Sequence, residues 1–220
     1  MKHEKMKKLT VLAMLSAIAY VAVALLRFPV VLFLSYEPKD VVIAIGGFLY
    51  GPLAALGISL VVSFIEMLTI SSTGWIGFVM NFLSSAAFAG TAALLYRKKR
   101  TQGSAIAGLF GGALLMTVLM LLWNYLITPI YMGMDREEIV VPMLIPVFLP
   151  FNLGKYILNA ALTMLIYKPI VTALRKANLL APSSSDAAPV QKKQHLGTIL
   201  VSLLILITCI LGFLVWQGVL

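Results

Sequence analysis

KDVVIAIGGFLYGPLAALGISLVVSFIEMLTI, residues Lys39–Ile70, decides how this chain folds. Its apolar part exceeds the roughly 20 residues that one membrane crossing needs, and Gly51-Pro52 interrupts it. Splitting it there gives a short helix, Lys39–Tyr50, and a full one, Pro52–Ile70. Charge decides that the split is real. Basic residues cluster at Lys2, Lys5, Lys7 and Lys8, at Arg97-Lys98-Lys99-Arg100, and at Lys168, Arg175, Lys176, Lys192 and Lys193. Such clusters mark the cytoplasmic side of a membrane protein. An even number of crossings must therefore separate Lys8 from Arg97. Only three apolar blocks lie between them: Leu9–Leu34, Val41–Ile70 and Gly74–Tyr96. Dividing the middle block restores even parity. The short helix is only ~18 Å long at 1.5 Å per residue. It cannot cross the hydrocarbon alone, so its surroundings are protein or a cavity.

Outward from this stretch, two more helices are predicted near Gly103–Thr128 and Val141–Leu174. The expected architecture is an all-α polytopic membrane protein, a six-helix bundle over residues 1–177 with a short second helix. The loops Phe28–Pro38, Ser71–Gly74 and Tyr131–Val140 fall outside, and the N-terminus falls in the cytoplasm. A flexible cytoplasmic linker is expected over 178–195, from the Pro- and Ser-rich run Ala181–Pro189. The apolar run 196–220 is long enough for a seventh crossing.

Composition agrees. Hydrophobic residues make up 61% and charged residues 11%, against roughly 25% charged in soluble domains. Net charge is +9, but the basic residues flank apolar spans, which favours membrane orientation over nucleic acid. The apolar run after Lys8 is too long for a signal-peptide core and reads as a retained helix. Cys209 is the single cysteine, and His3 and His195 lie in basic flanks, so neither a disulfide nor a metal site is expected. Phosphate-loop, His-Glu-x-x-His and Gly-x-Ser-x-Gly motifs are absent. Glu66 is the one acidic residue in a helix interior, so paired-carboxylate catalysis lacks a second member. The chain reads as a binder or conduit, not an enzyme.

Lys155 is the most informative single residue. A charge inside an apolar stretch costs roughly 2.5–3.5 kcal/mol on insertion scales, and such residues face cavities or partners. Snorkelling to the interface is the alternative. Asn152 lies three residues earlier, on the same helical face. Together they offer five N–H donors and one carbonyl. Asn124 sits near the outer end of the fifth helix, just before Pro129. With Glu66 and the polar run Ser35–Asp40, these groups share one depth in the outer half of the bilayer. Trp123, Tyr125, Phe148 and Phe151 flank them, which describes a pocket for a planar organic ligand. Asn81 and Asn159 read better as interhelical glue. Ala13 and Ala17 place small residues on one face of the first helix, suited to close helix packing.

The runs Leu34-Ser35-Tyr36-Glu37-Pro38-Lys39-Asp40, Tyr50-Gly51-Pro52, Asn124-Tyr125 and Pro150-Phe151-Asn152-Leu153-Gly154-Lys155 occur in this order and spacing. They resemble the substrate-binding S components of energy-coupling-factor (ECF) vitamin transporters, and most of all their riboflavin-specific branch. The resemblance covers about Lys7 to Lys176. It implies a six-helix fold with a short second helix and a riboflavin pocket open to the outside. It implies that Asn124, Asn152 and Lys155 contact the flavin, and that Glu37, Lys39 and Asp40 close or line the pocket. It also implies that Ala13 and Ala17 dock a transmembrane coupling subunit, which two ATPases drive, in a bacterial cell membrane. No cofactor is implied; riboflavin is the cargo. The seventh helix departs from the usual pattern.

The chemistry of the residues suits that ligand. The pyrimidine edge of a flavin carries carbonyls, an N–H and bare ring nitrogens. Amides supply donor and acceptor together, and an ammonium supplies donors. On this expectation, loop residues reach the ribityl hydroxyls. Three other readings stay open: an S component for thiamine or pantothenate, a membrane interaction or sensor subunit without a small ligand, and a membrane enzyme.

Overall fold

Pro29 ends the first helix well before the apolar run stops. The residue before a proline is pushed out of the helical region. Accordingly α1 spans Lys2–Leu26, and Phe28 begins a strand. The computed structural model describes residues 2–31, 34–133, 135–179 and 192–216. The apolar stretch after α1 contains the β-branched pair Val30-Val31 and forms a hairpin, not a loop. β1 (Phe28–Val31) pairs antiparallel with β2 (Leu34–Tyr36), with Phe28 opposite Tyr36 and Pro29 opposite Ser35. The fold is an all-α membrane fold, with this hairpin as its one departure among the described residues.

The short helix is where parity put it. α2 spans Lys39–Tyr50 and α3 spans Pro52–Thr69. Gly51 between them has φ +92°, a conformation that costs glycine almost nothing and other residues roughly 1–2 kcal/mol. Pro52 then opens α3, where its missing N–H is no loss. Every residue of α2 from Lys39 to Phe48 is buried, enclosed by α1, α3, α4 and α8.

α4 (Gly74–Lys99) and α5 (Gln102–Leu126) form the tightest helix pair. Gly108 and Gly112 of α5 lie against the backbone of α4. A Cβ on Gly108 would sit 2.7 Å from the Ala92 carbonyl oxygen, and one on Gly112 would collide with that of Phe88. Small residues of this spacing let membrane helices approach closely. Thr101 caps α5, accepting from the Ser104 amide.

Past Leu126 the backbone breaks, as Pro129 requires. The short α6 (Thr128–Met132) follows, and then a helical stretch, Arg136–Lys176. It contains π turns at Arg136–Val140 and Leu144–Phe148, a short α7 (Val141–Met143), and the long α8 (Leu149–Lys176). Pro142, Pro146 and Pro150 recur every fourth residue here. Each ring would clash with the carbonyl four residues back, and the wider π turn relieves that crowding. The sixth helix therefore starts earlier and more loosely than the expected Val141–Leu174.

Among the described residues, five helical stretches are long and apolar enough to cross a membrane: α1, α3, α4, α5 and Arg136–Lys176. A main core joins Leu15, Ile43, Ile58, Phe88, Met116 and Tyr156 from six helices. α9 spans Lys192–Trp216, so residues 192–195 are helical and not the end of a linker. Most of the expected linker, 180–191, lies outside the described residues, as does the end of the expected seventh span, 217–220. α9 packs on α8, and its Leu206 and Cys209 rest against the small cluster of Val30, Tyr36, Phe151 and Leu158.

Candidate ligand-binding site

The three loops expected on one side of the membrane converge on one cavity of about 90 Å³. The hairpin side contributes Leu34, Ser35 and Glu37; the α3–α4 turn contributes Ser71 and Thr73; α6 contributes Thr128 and Tyr131. Apolar walls come from Met80, Met116, Met120, Trp123 and Phe151. The basic ends of the helices gather at the other end of the bundle. There Lys7 donates to the Asn178 carbonyl at 3.3 Å, and Lys8 lies over the Tyr50 ring.

Asn124, Asn152 and Lys155 all line this cavity. Each asparagine donates from Nδ2 to a carbonyl one turn back on its own helix, Asn124 to Met120 and Asn152 to Phe148, both at 2.7 Å. A carbonyl only accepts, so both amides have a defined orientation. The Oδ1 of Asn124 accepts from Thr128 at 3.0 Å. The Oδ1 of Asn152 accepts from no described residue. Neither amide bonds to a neighbouring long helix, so neither serves as glue. Lys155 is 9% exposed and does not snorkel. Its Nζ lies 3.6 Å from Glu37 and 3.5 Å from the Ser35 carbonyl.

Glu37 is the electrostatic centre. It pairs with Lys39 at 3.1 Å, Arg27 at 3.5 Å and Lys155. Burial pushes its carboxyl up, but the cations outweigh burial, Lys39 foremost, then Lys155 and Arg27. Together they hold it at about 2. Three helices' worth of charge thus meets at the base of the hairpin.

Lys39 and Asp40 correct the sequence expectation. They do not line the cavity but lie behind its wall, 1% and 0% exposed. Lys39 donates to Glu66 at 2.6 Å. Asp40 accepts from Ser85 at 2.5 Å and from Asn159 at 3.5 Å, and Asn159 in turn accepts from Tyr36 at 2.8 Å. Removing a charge from water without such partners costs several kcal/mol, so α2 carries its charges inward only because α3, α4 and α8 meet them. Asn159 is interhelical glue, as read. Asn81 bonds to Glu66 at 2.9 Å, and it also lines the cavity. Of the flanking aromatics, Trp123 and Phe151 line the cavity while Tyr125 and Phe148 do not.

Sequence reasoning missed Arg27 at the mouth, and the hydroxyls of Ser71, Thr73 and Ser84. An arginine ending the first helix looked like an ordinary flank, and hydroxyls in loops are too common to stand out. Ala13 and Ala17 are exposed, on a side of α1 that no described element covers. A further cleft of about 360 Å³ lies between α5, α8 and α9, but Ser202 is the only polar side chain on its wall among the described residues. It has little with which to orient a polar ligand.

A bundle of membrane helices with a helix too short to span, and one polar cavity under a hairpin, defines a membrane protein built to hold a small ligand. Residues 7–167 match the family described as ECF transporter, substrate-specific component, and the chain belongs to it. It is similar to the riboflavin transporter RibU of Staphylococcus aureus (strain TCH60), 30% identical over 77% of this chain and 93% of that protein. It is equally similar to the riboflavin transporter FmnP of Bacillus subtilis (strain 168), 30% identical over 80% of this chain and 99% of that one. A solved S component of a bacterial ECF transporter matches with TM-score 0.67 and 30% identity, over 78% of this chain and 99% of that chain. α9 lies beyond the matched family region.

Proposed function

We propose that this chain is the riboflavin-binding S component of an ECF importer, capturing riboflavin from outside the cell. The observation that carries this reading is the cavity wall of Asn124, Asn152 and Lys155, with both amides oriented and the ammonium buried beside them. Two relatives named riboflavin transporters support the choice of ligand. Lys155 donates toward ring carbonyls or bare ring nitrogens, and the Oδ1 of Asn152, which accepts from no described residue, accepts from the ring N–H. Trp123, Phe151 and the methionines take the apolar ring system. Glu37 holds Lys155 in place and links it to the hairpin. Lys39 and Asp40 contribute indirectly, by fixing Glu37 and α2.

The N-terminus lies in the cytoplasm, following the basic ends of the helices. The exposed Ala13–Ala17 face docks a transmembrane coupling subunit, and two partner ATPases supply the energy. The described chain contributes binding and docking, and the chemistry of uptake belongs to its partners. Residues 1–177 form the vitamin-binding unit, and α9 is an added anchor beyond it.

The test is direct. The chain purified in detergent, freed of vitamin, should quench riboflavin fluorescence on mixing. No quenching at micromolar riboflavin would reject the reading and leave another vitamin or an interaction subunit.

A further inference from the structure

The apolar cleft between α5, α8 and α9 is one end of a longer groove. Met164 on its wall also borders a second cavity of about 460 Å³, nearer the basic end of the bundle, lined by Gln102 of α5, Lys168 of α8 and Ile199 of α9. Phe48 and Tyr96 join that cavity to a third of about 310 Å³, rimmed by Arg97 and Arg100.

The wall changes character along this path. Ile106, Phe110 and Val201 line the cleft and are also exposed, so the cleft opens sideways to lipid. Toward the basic end the wall becomes polar. The hydroxyls of Tyr96 and Tyr167 lie 3.3 Å apart. Their mutual bond uses one hydrogen, so the pair keeps another to donate. Lys168 adds an ammonium, and Arg97 and Arg100 add two guanidiniums. Among the described residues no carboxylate lines any of the three cavities.

Depth is the second constraint. Along α8 the groove runs from Ile157 to Lys168, about 16 Å at 1.5 Å per residue, or half of the ~30 Å hydrocarbon thickness. That is the depth of one leaflet. An apolar slot of this depth, open to the bilayer and ending in cations and hydroxyls, matches a single phospholipid in length and in charge. We propose that α5, α8 and α9 hold an anionic phospholipid, with an acyl chain in the cleft and its phosphate at the rim of Lys168, Arg97 and Arg100. Guanidiniums take phosphates through paired N–H groups, and basic pockets between membrane helices suit anionic headgroups. The site is separate from the cavity under the hairpin and stands whether or not riboflavin is the cargo. It gives α9 a task, as one wall of the slot.

Native mass spectrometry of the full chain, in mixed micelles with equal phosphatidylglycerol and phosphatidylcholine, tests it. The wild type should retain one lipid and favour phosphatidylglycerol about fivefold or more, the worth of one basic side chain at an anionic surface. Lys168→Gln with Arg100→Gln should erase that preference. Lys98→Gln with Lys99→Gln removes two charges that line none of the three cavities and should keep it. Gly197 lines the cleft, and a Cβ there meets nothing within 4 Å, so Gly197→Phe enters the slot from an open position and should lose the lipid of either kind. Equal retention of the two lipids by the wild type would overturn the proposal. So would a preference that survives the first double variant, or one lost equally in both, which marks diffuse attraction. Retention by Gly197→Phe at the wild-type level would overturn it too, and this variant keeps the test in force should the first double variant fail to fold. A wild type that retains no lipid would overturn it and leave the groove to a helix of a partner subunit.

Discussion

The Glu37 carboxylate lies 3.6 Å from the Lys155 ammonium and joins the hairpin to α8 across the top of the cavity. The same carboxylate binds Lys39 at 3.1 Å, so the cavity-lining cation is tied to the short helix through one residue. The cavity wall and the packing of the short helix thus share one carboxylate.

Lys155→Met keeps an unbranched side chain, one atom shorter, and removes its charge. A charged hydrogen bond is worth about 1.5–3 kcal/mol, so riboflavin affinity should fall about tenfold or more. Quenching titrations on the folded variant measure it, and unchanged affinity would remove Lys155 from the site.

Glu37→Gln leaves Lys39 and Lys155 buried with fewer partners. Breaking a buried ion pair from one side costs about 3–5 kcal/mol. The variant should melt at lower temperature in detergent and bind riboflavin more weakly. A melting temperature equal to that of the wild type would show that the charge cluster does not stabilise the fold.

The Glu37 carboxyl, held at about 2, sits below its ordinary value of 4.5. A depressed pKa stabilises the fold fully above the unfolded value, and that stabilisation is lost as pH falls from about 4.5 to about 2. The stability gap between wild type and Glu37→Gln should therefore be constant near neutrality and close below pH 4.5. A gap that persists down to pH 2 would contradict the assignment.

Gly112→Val pushes a branched side chain into the Phe88 carbonyl across the α4–α5 contact. Overpacking of this kind costs about 1–3 kcal/mol. Thermal unfolding should register it, with Gly103→Ala at an open position as the control.

Ala13→Leu with Ala17→Leu changes an exposed face remote from the cavity. Riboflavin quenching should be unaffected while co-purification of the coupling subunit is lost. Loss of quenching would instead place this face in the fold of the binding unit.

The sequence made the bundle legible because charge sidedness and a Gly-Pro break constrain topology without any contact being known. Asn124, Asn152 and Lys155 were legible because a polar group in an apolar helix is expensive and must have a reason. The hairpin was hidden because its β-branched residues continue the hydropathy of α1. Lys39 and Asp40 were recognised but misplaced, since their spacing does not fix how a short helix is rotated inside its neighbours. Asn81 looked like glue because the bond to Glu66 is real; only its second edge, on the cavity, distinguishes it. The π turns follow from three prolines, which predict irregularity but not its form.

α2 has one more consequence. From Lys39 to Phe48 it meets only protein, enclosed on every side although it lies within a membrane domain. A lipid-soluble photoreactive probe should label the outward faces of the five full spans and leave this segment unmarked. To the bilayer, the matched bundle presents one helix fewer than its chain contains.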